Sequence, residues 1–461
     1  MKKIILLVFL TIVFVYSFYA HAKGCPELVD AVKSGKFDTV KKLVDEGCDV
    51  NKKIDDRRIS MLNLAASEGR LDIVKLLVEN AAKINPDKSW PAQMWAAWGG
   101  HVEVVTYLVE NGADANYQDS YGTTPLQWAV KKANINLVKF LIENGADVNV
   151  SRNNSTSKGT ALFNTGRIEI AKYLISKGAD VNIKNGDDVT ALMNAVKLRQ
   201  FDKVKLLIDN GAKINGKDNR GYNAFMFSID KEDENENLDI LKFLIDNGAK
   251  INIKSIFGNT PIISAADLSK VETTKLLIEK GVDINEANVN GRTALMYAAS
   301  KGNLEIVKLL LDSGANVKLK DNLGFTALRW ALRYREITFE RSLMCDHSND
   351  PMEMMSLKGF DVKKYEEKKR KDEDEKQYLI VKLLLDNNAD VNSVDKQNLT
   401  TLMSAASRGY VKIATLLIEN GADVNIKVTD KYYRGNTAIS FAREKKFGTI
   451  VDLLKDAGAK E

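Results

Sequence analysis

Aliphatic side chains along this chain fall in short, regular stripes. In Leu304-Glu305-Ile306-Val307-Lys308-Leu309-Leu310-Leu311, the residues Val307, Leu310 and Leu311 follow the i, i+3, i+4 spacing that lines one face of an α-helix. A shorter, Ala-rich segment precedes it, Thr293-Ala294-Leu295-Met296-Tyr297-Ala298-Ala299. Its Thr is placed to cap a first helix through the side-chain oxygen, as are Thr124, Thr190, Thr260, Thr326 and Thr437, and the small Ala residues let neighbouring helices approach closely. A Gly closes the second helix at positions 47, 112, 145, 178, 211, 248, 281, 314, 421 and 458, where a left-handed cap costs least without a Cβ. Asn388 is a reasonable substitute in that slot, and Ala81 is expected to cost about 1 kcal/mol there. The pattern therefore predicts pairs of helices, and one pair cannot bury its own apolar stripe, so stability must come from stacking between neighbours. The third residue before each Gly slot fits stacking: Val44, Val78, Val109, Ile142, Ile175, Ile208, Ile245, Ile278, Leu311, Leu385 and Ile418 are all aliphatic. In the last repeat the same slot holds Lys455, which marks a face expected to be left unstacked.

The whole unit recurs with a period of 33 residues, marked most regularly by Gly-Ala-Asp-Val-Asn at Gly145 to Asn149, Gly178 to Asn182 and Gly421 to Asn425. Variants end at Asn51, Asn85, Asn116, Asn215, Asn252, Asn285, Lys318 and Asn392, and a fixed period in this range signifies a stacked solenoid. In these phrases, and in openings such as Thr124-Pro125-Leu126-Gln127-Trp128-Ala129, the chain resembles the ankyrin repeat family, with its Thr-Pro-Leu-His-x-Ala opening and its Gly-Ala-Asp-Val-Asn close. The resemblance runs from Cys25 to Glu461 and implies an all-α ankyrin-repeat solenoid of about twelve helix-turn-helix repeats with loop or β-turn fingers. The family's His slot is filled by Asn63, Met94, Gln127, Met193, Met296, Arg329, Met403 or Ser440, and Met there reads as packing.

Residues 1–22 differ in kind. Lys2 and Lys3 precede an apolar run from Ile4 to about Tyr19, and Ala20-His21-Ala22 supplies a small-x-small cleavage pattern, so a secretory signal peptide and an exported mature chain at 23–461, periplasmic or secreted, are expected. An uncleaved anchor helix is the alternative, for which the run is slightly short. No later stretch is long and apolar enough to span a membrane. The chain carries 67 basic and 62 acidic residues, mixed along the helices, with no nucleic-acid stripe. Of its three cysteines, Cys25 opens the first helix of repeat one and Cys48 follows the second. Antiparallel helices bring those ends together, and an oxidising compartment would permit a disulfide; two unpaired thiols are the alternative.

Catalysis is argued against. The three histidines are His21 in the leader, His101 at a helix start and His347 near Cys345 in an insertion, and no nucleophilic machinery, metal cluster or cofactor motif is visible. The insertion, 335–377, separates the two helices of repeat ten, because the interval from Lys318 to Asn392 is 74 residues. It carries four Met residues and Phe360, then a mixed-charge run expected to be partly helical from Val362 to Tyr378. It reads as a tolerated surface excursion or as a docking arm with an adaptable tip. Repeat five has a long loop and a first helix shortened around Leu162.

The family resemblance implies partner contact through the tips of the loops before each first helix and the exposed end of that helix, which together form the concave face. Those slots hold Trp90, Trp98, Tyr117, Tyr121, Tyr222, Phe257, Phe325, Tyr432 and Tyr433. Aromatic residues concentrate in repeats three and four, so Trp90, Trp98, Tyr117 and Tyr121 form the expected hot spot. Trp95, Trp128 and Trp330 share one first-helix slot and are expected to pack between repeats. The expected function is an exported, monomeric scaffold for a protein partner; a secreted effector acting on host proteins and an envelope spacer are the other readings.

Overall fold

The computed structural model describes residues 25–54, 59–85, 90–151, 159–229, 238–332 and 362–460, with side chains described from residue 374 in the last stretch. The leader, most of the repeat-ten insertion and the 230–237 loop lie outside the described residues.

Twelve helix pairs follow one another among the described residues, from Pro26–Lys33 with Phe37–Asp45 to Ala438–Glu444 with Gly448–Asp456. The only strand-like pairings there are two isolated bridges, Lys184 with Thr190 and Val394 with Thr400. The chain divides into two compact units, Met1–Asn219 and Arg220–Glu461. Within each unit, first helices pack on the first helices of adjacent repeats and second helices on second helices. The most regular core position is a second-helix Leu: Leu77, Leu108, Leu141, Leu174 and Leu207 in one unit, and Leu244, Leu277, Leu310, Leu384, Leu417 and Leu454 in the other, are fully buried. The aliphatic slot one residue later is buried at Val44, Leu311 and Leu385 but only half-buried at Val78, Val109, Ile142, Ile175, Ile208, Ile245, Ile278 and Ile418. It therefore rims the seam between repeats, and the Leu before it fills the core.

The Gly-Ala-Asp-Val-Asn phrase is resolved residue by residue. Gly145 closes its helix at φ +85°, and a Cβ added there would meet nothing within 4 Å, so the requirement for Gly lies in the backbone alone. Asn388 and Ala81 adopt the same left-handed conformation, at φ 61° and 62°. Ala146 and Val148 are buried. The Asp147 carboxylate accepts the Asn149 backbone N–H at 2.8 Å, which orients the Asn. The Asn149 side chain then donates to Gly178 O at 3.0 Å and accepts from Asp180 N at 2.8 Å, stapling its repeat to the next through both ends of one amide. The same two-bond staple is made by Asn51, Asn85, Asn116 and Asn182 in the first unit. Asn285, Asn392 and Asn425 make it in the second.

Thr124, Thr190, Thr260 and Thr293 accept the backbone N–H three residues on; Ser60, Thr160 and Thr400 do the same. Thr326 does not, at the head of a helix of only five residues, Ala327–Ala331, and the Thr437 hydroxyl meets Ser440 Oγ at 3.5 Å instead. In the slot where the family places His, Asn63 donates to Trp90 O at 3.0 Å and Gln127 to Val150 O at 3.0 Å, so an amide supplies a bond to the neighbouring loop. Met94, Met193, Met296 and Met403 are buried there. The sulfurs of Cys25 and Cys48 stand 2.03 Å apart, bonded across the ends of repeat one. In repeat ten the second helix runs Val362–Asp386 over 25 residues, so the mixed-charge run continues into the helix expected to begin near Tyr378.

Candidate partner-binding surface

Among the described residues, six fingers are each organised by one polar side chain. Asp119 accepts the backbone N–H groups of Tyr121 at 2.9 Å and Thr123 at 2.7 Å, closing a turn that passes through Gly122 at φ +70°. Asn185 repeats the device in the first unit, and Ser255, Asn288, Asp321 and Asp395 repeat it in the second. These donors hold the tip in one conformation, so the residues at the tip are presented outward on a fixed frame. Tyr121 is 65% exposed, and in the second unit Ile256, Phe257, Val289 and Leu323 are between 46% and 61% exposed. Consecutive tips in the second unit are joined by single backbone bonds, Ile256 N to Arg220 O, Val289 N to Phe257 O, Asn322 N to Asn290 O, Lys396 N to Leu323 O and Thr429 N to Gln397 O, all between 2.9 and 3.1 Å.

In the first unit four tryptophans form an edge-to-face chain. Trp98 lies 6.3 Å from Trp95, Trp95 5.4 Å from Trp90, and Trp90 6.3 Å from Trp128, centroid to centroid, the geometry that aligns the positive edge of one ring with the negative face of the next. Lys131 Nζ sits 4.7 Å over the Trp128 ring, a cation–π contact.

The first helix of repeat five, Ala161–Asn164, has only four residues, against seven in repeats four and six. The missing turn leaves a groove of about 810 Å³ beside Trp128, bordered by Trp90, Tyr121, Lys131, Asn164 and Arg167. The truncated helix still needs partners for its last carbonyls. Lys203, buried in the second helix of repeat six, reaches Phe163 O at 3.2 Å and Thr165 O at 2.6 Å, and Asn194 Nδ2 reaches Phe163 O at 3.0 Å. Burial pushes the Lys203 ammonium down to about 7, while the carbonyl bonds favour the charge and oppose that shift.

The family whose model is described as ankyrin repeats (3 copies) matches residues 28–119, 85–152, 158–255, 233–321, 280–353 and 373–461. The chain belongs to the ankyrin-repeat family. Relatives include an ankyrin repeat and KH domain-containing protein of Caenorhabditis briggsae, 46% identical over 77 residues, or 17% of this chain and 3% of that protein. The protein mask of Drosophila melanogaster, of the same description, is 39% identical over 80 residues, or 17% of this chain and 2% of that protein. A putative ankyrin repeat protein of Rickettsia bellii (strain RML369-C) is 36% identical over 74 residues, or 16% of this chain and 30% of that protein. The chain thus spans a small part of each, and the likeness is to the repeats.

Ankyrin repeats mediate protein–protein interaction, and proteins built from them are typically non-enzymatic scaffolds. In this ankyrin-repeat chain Trp98 is 47% exposed and Tyr121 65%, and both lie near the half-buried Trp90. Tyr117 is half-buried, its phenol pKa raised by burial and then by the Asp119 carboxylate. The expectation that the shared first-helix slot is core holds only for Trp330, which is 5% exposed and donates to Asp321 Oδ2 at 3.1 Å, with Arg292 4.2 Å over its ring. Trp95 and Trp128 are half-buried, the truncated helix leaving one side of Trp128 open.

In the second unit Phe257 stands on the ladder of tips. Tyr222 and Phe325 are half-buried against Phe227 and Trp330, at 6.2 and 5.9 Å. Tyr432 is 77% and Tyr433 48% exposed on the last finger. Sequence reasoning missed the amide staples, Arg167 and Lys203. Among the described residues no group of His, Cys, Asp or Glu could hold a metal ion, and no helix is long and apolar enough to cross a membrane.

Proposed function

We propose that this chain is an exported, monomeric scaffold that holds a protein partner against its fingers and first helices, without catalysis, cofactor or nucleic acid. What supports the partner site is the edge-to-face tryptophan chain of repeats three and four, with Trp98 exposed at its end and Tyr121 exposed beside it. Large aromatic groups on a rigid frame carry most of the energy of typical interfaces. The leading Lys2-Lys3 and apolar run support export, with cleavage after Ala22.

The test is affinity capture from the chain's own envelope fraction by the mature protein and by a Trp98→Ala, Tyr121→Ala double variant. Both side chains are exposed, so circular dichroism and melting should be unchanged. Loss of a hot spot worth about 2 kcal/mol weakens capture about thirtyfold. Capture of the same proteins at the same yield by the variant overturns the reading, and recovery of the chain only in the cytoplasm overturns export.

A further inference from the structure

The groove left by the truncated helix of repeat five has a chemistry of its own. One wall is aromatic, Trp90 and Trp128, with Tyr121 at the lip. The charged residues that border it are Asp119, Lys131 and Arg167. The Asp119 carboxylate is buried and already accepts two backbone N–H groups of its own finger. Lys131 and Arg167 are exposed and make no ion pair among the described residues. The Trp128 indole N–H is shielded from solvent and lacks an acceptor among the described residues. A volume of about 810 Å³ lies within the several-hundred-Å³ range of pockets that enclose a ligand.

From this we infer that the groove binds a short acidic segment of a partner protein, an aromatic side chain packing against the wall formed by Trp90 and Trp128 while flanking carboxylates meet Lys131 and Arg167. The inference rests on the reading of this face as partner-binding and names the partner's chemistry there. An aromatic residue supplies edge-to-face contact with the existing rings. Carboxylates supply the charge that the two cations lack. A basic segment would meet Lys131 and Arg167 with like charge.

The probes are three blocked tripeptides, acetyl-Glu-Phe-Glu-amide, acetyl-Lys-Phe-Lys-amide and acetyl-Glu-Ala-Glu-amide. Each is titrated into the mature chain to about millimolar concentration, with intrinsic tryptophan fluorescence and the indole N–H resonance of Trp128 as readouts. That resonance is assigned by its loss in Trp128→Phe. The expected result is saturable movement of the resonance with the Glu-Phe-Glu peptide, weakened by added salt, and at least about tenfold weaker binding of the other two. Lys131→Glu with Arg167→Glu, both exposed positions, should reverse the preference toward the Lys-Phe-Lys peptide without changing the melting temperature. Absence of saturable movement, equal binding of the acidic and basic peptides, or an unaltered preference in the charge-reversed variant overturns the inference. If the peptides fail while the Trp98 and Tyr121 variant still loses its captured partner, the groove assignment alone falls. If capture is also indifferent to that variant, the partner-binding reading falls with it.

Discussion

Ala81 occupies a slot that Gly holds in ten other repeats, and the backbone there offers a direct measurement of what that Gly contributes. Ala81 sits at φ 62° and is exposed. Its N–H still donates to Val78 O at 3.1 Å, and its carbonyl accepts the Asn51 staple at 3.0 Å. Ala81→Gly should leave all of these contacts in place and remove only the left-handed penalty, about 1–2 kcal/mol for an L-residue. The added freedom of Gly in the unfolded chain returns about 0.4–1 kcal/mol of that, so the net gain is about 1 kcal/mol. Gly145→Ala is the mirror experiment: a Cβ there meets nothing within 4 Å at φ +85°, so the cost should be of the same size and opposite sign. Urea unfolding of both variants, followed by far-ultraviolet circular dichroism, should show the midpoint moving up for Ala81→Gly and down for Gly145→Ala at constant m-value. An unchanged or lowered midpoint for Ala81→Gly would refute the reasoning, and so would a neutral Gly145→Ala, because both lie in the same unit and differ only in which residue occupies one backbone conformation.

Lys203 and the cysteines give two further expectations. Burial lowers the Lys203 pKa from 10.5 to about 7, so between those values the unfolded chain binds more protons than the folded one. Stability should therefore rise with pH across that window, by at most about 1.4 kcal/mol per unit, and urea midpoints at about pH 7.5 and about pH 9.5 should show a smaller rise in Lys203→Met than in the wild type. Identical pH slopes for the two proteins would exclude the lysine as the source. Repeat one is closed by Cys25–Cys48 over a separation of 23 residues, so reduction should cost about 3 kcal/mol and abolish slow amide exchange at Leu28, Val32 and Val40. Thiol titration of the oxidised, denatured mature protein should find Cys345 alone free, and a count of all three cysteines would remove the clamp.

The repeat, its helix pairs and its left-handed caps were legible because they depend on residues close in sequence and repeated many times. Even the exceptions were readable, since Ala81 and Asn388 stand in a column otherwise occupied by Gly. Exposure of Trp98 and Tyr121 followed from position within the repeat. Exposure of part of Trp128 did not, because it depends on a helix in the next repeat ending early. Lys203 carried a signal that went unread: it stands in a column otherwise held by Thr39, Ile73, Val104, Leu137, Ile170, Ile240, Thr273, Ile306, Ile380, Ile413 and Ile450. A cation in a column that is otherwise uncharged and mostly aliphatic requires acceptors when buried, and its acceptors are 38 and 40 residues earlier, at the end of the shortened helix. The Asn of the repeat marker was visible as a pattern, but its two bonds reach the following repeat, and spacing alone does not show where a side chain lands.

Those staples also mark a weak joint of the second unit under load. Asn285 grips the ninth repeat through Gly314 O and Asn316 N, but the equivalent position at the end of that repeat is Lys318, whose ammonium can donate and has no oxygen with which to accept. The joint into the repeat that carries the long insertion therefore lacks the two-way amide link. Drawn out by its ends in a force trap, the unit should yield at that missing rivet before the riveted joints on either side, giving an early, short rip ahead of the larger ones.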